Sequence, residues 1–355
     1  MVLTVPRYED ALSLLRTLSG TWGIRASASN HANYGAVFAR DAVMGGIAGL
    51  LVGDQATIAG LAHTLGHLRD LQGSEGQIAS NYLLADHHAP RVSFGTLVPR
   101  LDSPLWYLIG IGLAARAGVL DPAPFHRSVH RVVHLLDALE YNGRHLLYVP
   151  VGGNWADEYI YEGYVLHDQV LRAWGLRLVS EVFDEEAWRT KSSRIEATIG
   201  VTFASRAPER PYPIAAVSPI RTHEIFDLAT CALLGASGVA PALALPALDW
   251  IDVHYLARGA LPPAFHPVID ESHPDWPSLA RYQLHGFRNR PHEYHNGGIW
   301  TIWLGWLALA LARAGRHDSL ARLNQVMEKK LAAPGAYAFE EFFHGLTGAP
   351  GGTAG

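Results

Sequence analysis

The chain has 355 residues, of which 49% are hydrophobic and only 17% are charged, so it carries enough apolar surface for a large core. Its formal net charge of −5 disfavours nucleic-acid binding, which calls for a basic face. The single cysteine, Cys231, excludes an intramolecular disulfide and fits a reducing compartment.

Neither the N-terminal segment nor the most apolar segment of the chain indicates an export signal or a membrane span. The N-terminal segment lacks a basic stretch and a small-residue cleavage site, so we expect no signal peptide. The most apolar segment, 299–312, is too short for a bilayer span and is predicted to be a buried helix. We therefore expect a cytoplasmic protein.

Apolar residues recur at helical spacing along most of the chain. In the first predicted helix they include Leu12, Leu15 and Leu18, and the third predicted helix opens with Asp54 as its N-cap. The eleven predicted helices cover residues 8–18, 41–51, 55–71, 104–117, 122–139, 165–182, 185–204, 224–234, 241–256, 298–313 and 319–330.

Long loops rich in Gly, Pro, Asn and aromatic residues separate pairs of these helices. Short and long connections that alternate are typical of helical hairpins closing into a ring, with the long loops on one face. We predict one all-α domain over 1–355, a flexible Gly-rich tail over 346–355, and a β-hairpin over 145–151 after an Asn-Gly turn. The long loops are 19–39, 72–102, 140–164, 205–223, 257–297 and 331–355.

The first candidate chemical segment is GGNWADEYIYEG at 152–163, where Asp157 stands between Trp155 and Tyr159. Aromatic faces bind the C–H surfaces of sugars, and a partly desolvated carboxyl group has a raised pKa that suits a general acid. The alternative is that Asp157 or Glu158 caps the next helix.

The second segment is AYAFEEFFHGLTG at 336–348, in which Glu340 and Glu341 lie among phenylalanines. A carboxylate is costly to bury there unless it is paired or used. The alternative is a helix start with one glutamate as a cap. Hydrolysis of a glycoside needs two carboxyl groups on opposite sides of the glycosidic carbon, and Asp157 with Glu341 would supply them.

Three further segments carry polar and aromatic side chains at loop-to-helix junctions. Arg40 and Asp41 start a predicted helix, where they could bind sugar hydroxyls or form a structural ion pair. Asn296 precedes an apolar helix that it could cap. The third segment, 93–110, holds Asp102 and Trp106.

Together these segments resemble the (α/α)6-barrel glycoside hydrolases, above all the alkaline/neutral invertases and the debranching-type amylo-α-1,6-glucosidases. The resemblance spans most of the chain in the same order. Its elements are YHNGGIW at 294–300, which is the most specific, ARD at 39–41, DSPLW at 102–106, NWADE at 154–158 and EFFHGLTG at 341–348.

The resemblance implies an (α/α)6 toroid and an inverting glycosidase acting on a small α-glucoside such as sucrose. Asp157 matches the general acid of the family, and Glu341 rather than Glu340 matches the general base; in inverting enzymes these groups lie about 6.5–9.5 Å apart. No cofactor or metal is implied, because protons and water do the chemistry. The residues expected to bind the sugar are Arg40, Asp41, Asp102, Trp106, Trp155, His295, Asn296, Trp300 and His344.

The sequence departs from the family pattern at two of these motifs and at its end. Glu340 and His344 stand where the base motif has Pro and Asp, and Thr301 replaces the Pro that follows NGGIW. Relatives continue into a further helix after the point where this chain reaches Gly355. We therefore expect a barrel that closes with fewer residues or lacks its last helix.

Other functions remain open at this stage. Sugar epimerases of the same toroid use histidines as acid and base, and the candidates here are His87, His88, His292 and His295. A metal site is less favoured, because HEYH at 292–295 lacks HExxH spacing and DHHAP at 86–90 has no clear partner. A pure scaffold does not explain carboxylates among aromatics. Loops 72–102 and 257–292 carry no motif that identifies the leaving group.

Overall fold

The structure, a computed structural model, describes residues 7–29, 33–85, 88–95, 98–140, 143–281, 286–332 and 339–354. Its contacts divide the chain into two compact units. The first unit comprises Tyr8–Trp155 and Leu171–Ile195, and the second comprises Ala156–Val170 and Glu196–Ala354. The single domain expected from the sequence stays a prediction.

The first unit holds five complete helices and parts of two more. Its helices are α1 (Tyr8–Leu18), α2 (Ala39–Val52), α3 (Gln55–Asp70), α4 (Asp102–Arg116) and α5 (His126–Ala138), with most of α6 (Leu166–Phe183) and α7 (Glu186–Thr202). Its strands are β1 (Ser19–Gly20), β2 (Gly23–Ile24), β3 (Val37–Phe38), β4 (Asn81–Ala85) and β5 (His88–Ser93).

Local sequence signals explain how this unit starts and stops its helices. Asp54 caps α3 by accepting from the backbone N–H of Thr57 at 3.0 Å and from its hydroxyl at 2.8 Å, as predicted. Gly53 ends α2 in the left-handed conformation, with a φ of 72°. Helix α4 is buried along nearly its whole length, so it forms the centre of the unit's core.

The second unit holds five helices and eight short strands among its described residues. Its helices are α8 (Leu228–Ser237), α9 (Pro241–His254), α10 (Trp276–Leu279), α11 (Thr301–Arg313) and α12 (His317–Leu331). Its strands are β6 (Tyr164–Val165), β7 (Ala216–Val217), β8 (Thr222–His223), β9 (Phe226–Asp227), β10 (Phe265–His266), β11 (Ile299–Trp300), β12 (Glu340–Phe343) and β13 (Pro350–Ala354).

Helices α8 and α11 form the core of the second unit, because both sequences are apolar almost throughout. They approach closely at Gly235, where an added Cβ would lie 2.6 Å from the Cβ of Ala310. The short strands pair antiparallel at the edges of this core, in the orders β6-β7-β8, β10-β9 and β11-β12-β13. The last sheet places Glu340 and Glu341 on a strand rather than at a helix start.

Two helix starts differ from the sequence prediction because short strands precede them. Helix α8 begins at Leu228 rather than Glu224, since β9 pairs with β10 and Asp227 is the N-cap. Helix α11 begins at Thr301 rather than Gly298, since β11 pairs with β12. Asn296 is therefore not its cap, and the prediction that it caps this helix was wrong.

Two other segments also differ from expectation. Residues 143–151 form bends and extended backbone instead of the predicted hairpin, because Leu146, Leu147 and Val149 turn into the core. The tail expected to be flexible over 346–355 contains strand β13, which pairs with β12.

Among the described residues, no helix is both long and apolar enough to cross a bilayer.

Candidate active site

The turn that carries Asp157 lies at the start of the second unit. Asp157 is half-buried, whereas Glu158 and Tyr159 are buried. The ring of Tyr159 stacks on Phe265 with centroids 4.1 Å apart, and burial raises the pKa of its hydroxyl. Tyr159 therefore anchors the turn in the core and presents no ring face to a sugar.

Arg288 binds the neighbour of Asp157. Its Nε donates to Glu158 Oε2 at 3.1 Å and its Nη2 donates to Oε1, so both oxygens of Glu158 are engaged. Burial works against the charge of Arg288, but the bond to Glu158 and the nearby Tyr294, Glu158 and Asp157 raise its pKa overall. Asp157 thus lies within the electrostatic reach of this guanidinium. Glu158 forms this ion pair and does not cap the next helix, α6, which begins at Leu166.

Two buried asparagines hold the loop that supplies Arg288. Asn289 donates to the backbone carbonyl of Glu158 at 2.6 Å and accepts from the backbone N–H of His295 at 3.1 Å. Asn296 donates to the carbonyls of Ile269 and Asn289 at 2.7 and 3.0 Å, and accepts from the N–H of Ile269 at 2.8 Å. Both donor hydrogens of Asn296 are used by the backbone, so it braces the loop rather than donating to a ligand.

Aromatic rings connect this loop to strand β12. The guanidinium carbon of Arg288 lies 4.3 Å from the ring centroid of Tyr294. The Trp300 ring stacks on those of His295 and Phe342, with centroids 5.4 and 5.8 Å apart, and its Nε1 donates to the carbonyl of Tyr294 at 2.9 Å. This continuous set of contacts, all within the second unit, runs from the Asp157 turn to the residue beside Glu341.

Glu341 is held by strand β13. Its Oε2 accepts from the backbone N–H of Thr353 at 3.0 Å. Gly352 has a φ of 84°, and an added Cβ would lie 2.4 Å from the same oxygen. A backbone N–H bonded to a carboxylate favours its ionised form, which is the form a general base requires.

His344 directly follows β12 in the chain, and His292 packs against it. The Nδ1 atom of His344 accepts from the backbone N–H groups of Leu346 and Thr347 at 3.1 and 3.3 Å, so it shapes the following turn. Its ring stacks on His292 at 5.9 Å, and the N–H of Gly345 donates to the carbonyl of His292 at 2.8 Å. The structure thus gives His344 a role in fixing the turn after Glu341.

The remaining charged candidates lie together in the first unit. Arg40 donates to Asp102 at 2.9 Å and to Asp41 at 3.3 Å. Asp102 is buried, Arg40 is partly exposed, and Asp41 is about half exposed. Asp102 therefore orients Arg40, and Arg40 and Asp41 are the groups presented to solvent. The backbone before Trp155 is fixed in the same unit by Arg100, which donates to the carbonyls of Gly152 and Asn154.

Of the three tryptophans predicted to bind sugar, Trp106 and Trp155 are buried in the first unit. Trp106 has no exposed surface and meets Trp174 edge-on at 6.4 Å. Trp106 therefore packs in the core, and its contact with a sugar stays a prediction. Trp155 is 5% exposed, which leaves its role a prediction.

The structure describes two of the four histidines of the epimerase alternative with their side chains, His292 and His295. His87 lies outside the described residues, as does Asp86 of the DHHAP motif, and only the backbone of His88 is described. His295 is fully buried against Tyr294 and Trp300, and His292 packs on His344. No observation on these side chains favours histidine acid–base chemistry over the carboxylates.

No protein-family model and no curated protein matches the sequence, whereas several solved structures are similar to this chain. A GH63 mannosylglycerate hydrolase from Thermus thermophilus, solved with Tris and D-glycerate, is similar with a TM-score of 0.69 and 13% identity. That match covers 98% of this chain and 97% of the hydrolase.

Two other solved structures have the same arrangement. A glycosidase in complex with glucose is similar with a TM-score of 0.64 and 14% identity, over 92% of this chain and 82% of that one. A rhamnosidase from Klebsiella oxytoca with rhamnose bound has a TM-score of 0.61 and 12% identity. This chain spans 57% of the rhamnosidase, with 94% of its own length covered.

These likenesses establish the fold. The chain has the six-hairpin (α/α)6 fold shared by these glycoside hydrolases, which confirms the predicted all-α toroid class and agrees with the family resemblance. Small sheets, at most three strands each in the described chain, accompany the helices.

Proposed function

We propose that this chain is an inverting glycosidase in which Asp157 is the general acid and Glu341 the general base. The observation that carries the proposal is the unbroken set of contacts within the second unit, from the Asp157 turn through Arg288, Tyr294 and Trp300 to strand β12. The fold shared with solved glycosidases supports the same reaction class.

The choice of acid follows from the contacts of the adjacent carboxylates. Glu158 gives both oxygens to Arg288, so it is committed to an ion pair and is a poor proton donor. Asp157 is half-buried beside this neutralised pair. In the proposed step the Asp157 carboxyl group protonates the glycosidic oxygen, and the bond from that oxygen to the anomeric carbon breaks.

Glu341 completes the reaction as the base. Its carboxylate takes a proton from a water molecule whose oxygen attacks the anomeric carbon from the opposite side, which inverts the configuration. The Thr353 N–H holds one carboxylate oxygen, favouring the ionised form that accepts the proton. Inversion would require the two carboxyl groups to lie about 6.5–9.5 Å apart across the bound sugar.

The proposed substrate is a small α-glucoside, either sucrose-like or an α-glucosyl compound of similar size. The Trp300 ring, which is partly exposed and packs on Tyr294 beside Arg288, suits the C–H surface of a hexose. The mannosylglycerate hydrolase with the same fold was solved with glucose and with D-glycerate, which makes glucosylglycerate a compound to test. The cytoplasmic location stays a prediction.

The test is a screen for released monosaccharide with the purified chain on sucrose, trehalose, maltose, isomaltose and glucosylglycerate. Release should fall by about 1,000-fold or more in Asp157→Asn and Glu341→Gln, because each removes one proton-transfer group. The matched controls are Asp318→Asn, an exposed residue of α12, and Glu340→Gln, the neighbour of the base. Equal loss in Glu340→Gln would contradict the choice of base, and conversion of a free sugar without hydrolysis would indicate an epimerase.

A further inference from the structure

A second cluster of chemically active side chains lies in the first unit and shares no residue with the candidate active site. His126 and His130 lie one turn apart on α5, and Glu185 lies between α6 and α7. The Nε2 atoms of the two histidines are 3.2 Å apart. Glu185 Oε1 lies 3.2 Å from Nε2 of His130 and 3.5 Å from Nε2 of His126. Three ligand-type atoms therefore form a nearly equilateral triangle.

Neighbouring aromatic rings hold both imidazoles in place. Phe183 packs on His126 with ring centroids 5.2 Å apart, and Trp188 packs on His130 at 4.6 Å. Both aromatic residues flank Glu185 in the sequence, so the segment that supplies the carboxylate also orients the rings.

The backbone of Glu185 is fixed as well. Its N–H donates to the carbonyl of Ser180 at 3.0 Å, and its own carbonyl accepts from Trp188 and Arg189 at 3.1 and 3.2 Å. The nearby guanidinium of Arg189 pairs with Glu186 and Asp184. Glu185 is therefore positioned by the chain, with its carboxylate directed at the two histidines.

The size of the triangle matches a tetrahedral metal ion. Bonds of about 2.0–2.1 Å to nitrogen or oxygen in a tetrahedron put neighbouring ligand atoms about 3.3 Å apart, whereas an octahedron would put them about 3.0 Å apart. Two imidazoles with one carboxylate are a ligand set typical of Zn²⁺, with a fourth position left for water. Both histidine side chains are about half exposed, so an ion can reach the site.

We propose that His126, His130 and Glu185 bind a divalent transition-metal ion, Zn²⁺ foremost, and that the ion ties α5 to the α6–α7 turn. Both Nε2 atoms donate lone pairs to the ion, so each ring carries its proton on Nδ1, and any proton on Nε2 is released on binding. The site is separate from the glycosidase proposal, and its test does not depend on activity.

The experiment uses the full chain without a polyhistidine tag, treated with a chelator and titrated with ZnCl2 by calorimetry. We expect one tight equivalent, and an intense visible absorption typical of tetrahedral coordination when Co²⁺ is bound. His130→Asn and Glu185→Gln should each weaken Zn²⁺ binding by at least about 100-fold, since loss of a ligand exceeds the effect of losing an outer-shell partner.

The matched control is His134→Asn, an exposed histidine one further turn along α5. It should leave Zn²⁺ affinity unchanged, and the metal-free melting temperatures of all three variants should equal that of the parent because these side chains are substantially exposed. The proposal is overturned if the parent chain binds no tight equivalent, or if His130→Asn binds as well as the parent. A loss in His134→Asn equal to that in His130→Asn would also overturn it.

Discussion

Arg172 in the first unit and Arg288 in the second unit each bind a different, largely buried glutamate. The two ion pairs differ in the charged groups that surround them. In the first unit Arg172 binds Glu140 at 2.5 Å and Asp137 at 2.6 Å, and Lys191 binds Glu140 at 2.7 Å. This network holds two cations and two anions, so its charges balance. In the described part of the second unit, Arg288 binds both oxygens of Glu158, and Asp157 is a further carboxyl group nearby.

The difference shows that a buried ion pair does not by itself indicate an active site. The ion pairs of the Arg172 network join α6, α7 and the end of α5. The Arg288 pair is bordered by a second carboxyl group, that of Asp157, and by a set of aromatic rings that leads to Phe342 on strand β12. The contacts that surround the Arg288 pair, rather than the pair itself, are the feature on which our functional proposal depends.

The largest expected effect on stability belongs to the first network. Arg172→Met should lower the free energy of unfolding by about 3–5 kcal/mol, because it leaves the largely buried carboxylate of Glu140 with less compensation. Urea denaturation would measure the change. The control is Arg322→Met, which removes a partly exposed pair with Asp252 and should cost about 0–1 kcal/mol. Equal costs in the two variants would remove the distinction between the buried network and an ordinary surface pair.

Asp227 shows how a buried carboxylate behaves when a threonine rather than a guanidinium holds it. Burial raises its pKa to about 6, although the Thr230 N–H and hydroxyl act in the opposite direction. Because its pKa is raised above the ordinary value of 3.8, its contribution to stability is complete below pH 3.8 and is lost as the pH rises through about 6.

Asp227→Asn should therefore stabilise the chain by about 1–3 kcal/mol at pH 7.5, since asparagine keeps the cap without the charge. Thermal unfolding of parent and variant at pH 7.5 and pH 4 would measure the effect, which should disappear at the lower pH. A variant less stable than the parent at pH 7.5 would show that the charge of Asp227 is compensated.

Arg288→Lys should lower kcat/KM by about tenfold, mainly through kcat, on whichever glycoside the screen identifies. Lysine keeps the charge but cannot bind both oxygens of Glu158, so the turn that carries Asp157 loses its position. The matched control is Arg172→Lys, which should lower stability and leave kcat/KM per folded molecule unchanged. If the two variants had the same effect on kcat/KM, the Arg288 pair would have no special link to the chemistry.

The smallest predicted effect concerns the N–H that holds Glu341. Thr353→Pro removes this donor, so the acidic limb of the pH–rate profile should move up by about 0.5–1 pH unit. Activity falls at low pH because the base becomes protonated, which sets the direction of the shift. Thr353→Ala keeps the N–H and should retain the parent profile, and identical profiles for the two variants would mean that the bond does not tune the base.

Helix positions could be predicted from the sequence because they depend on local signals. The apolar spacing of α3 and its Asp54 cap lie within a few residues of one another, and both were predicted correctly. The starts of α8 and α11 were misplaced because two-residue strands such as β9 exist only through partners far along the chain. Phe226 gives no local indication that it pairs with His266.

Residues of the candidate site could be predicted from the sequence only where they stand in a recognisable motif. Asp157 and Glu341 stand in recognisable segments, but the pairing of Arg288 with Glu158 joins residues 130 positions apart in a loop without a motif. Asn296 and Trp106 were expected to bind the sugar because they stand in segments that carry the family resemblance. Tertiary contacts, which the sequence does not show, determine what such residues do. Asn296 donates to backbone carbonyls, and Trp106 packs in the core.

The most direct test of the central claim compares Asp157→Asn and Glu341→Gln on the identified glycoside and on the α-fluoride of the same sugar. Fluoride leaves without needing a proton from the enzyme, so the acid is dispensable for this substrate while the base is not. We predict that Asp157→Asn recovers most of its activity on the fluoride and that Glu341→Gln stays inactive on both. Equal inactivity of the two variants on the fluoride, or recovery by Glu341→Gln instead, would contradict the assignment of acid and base.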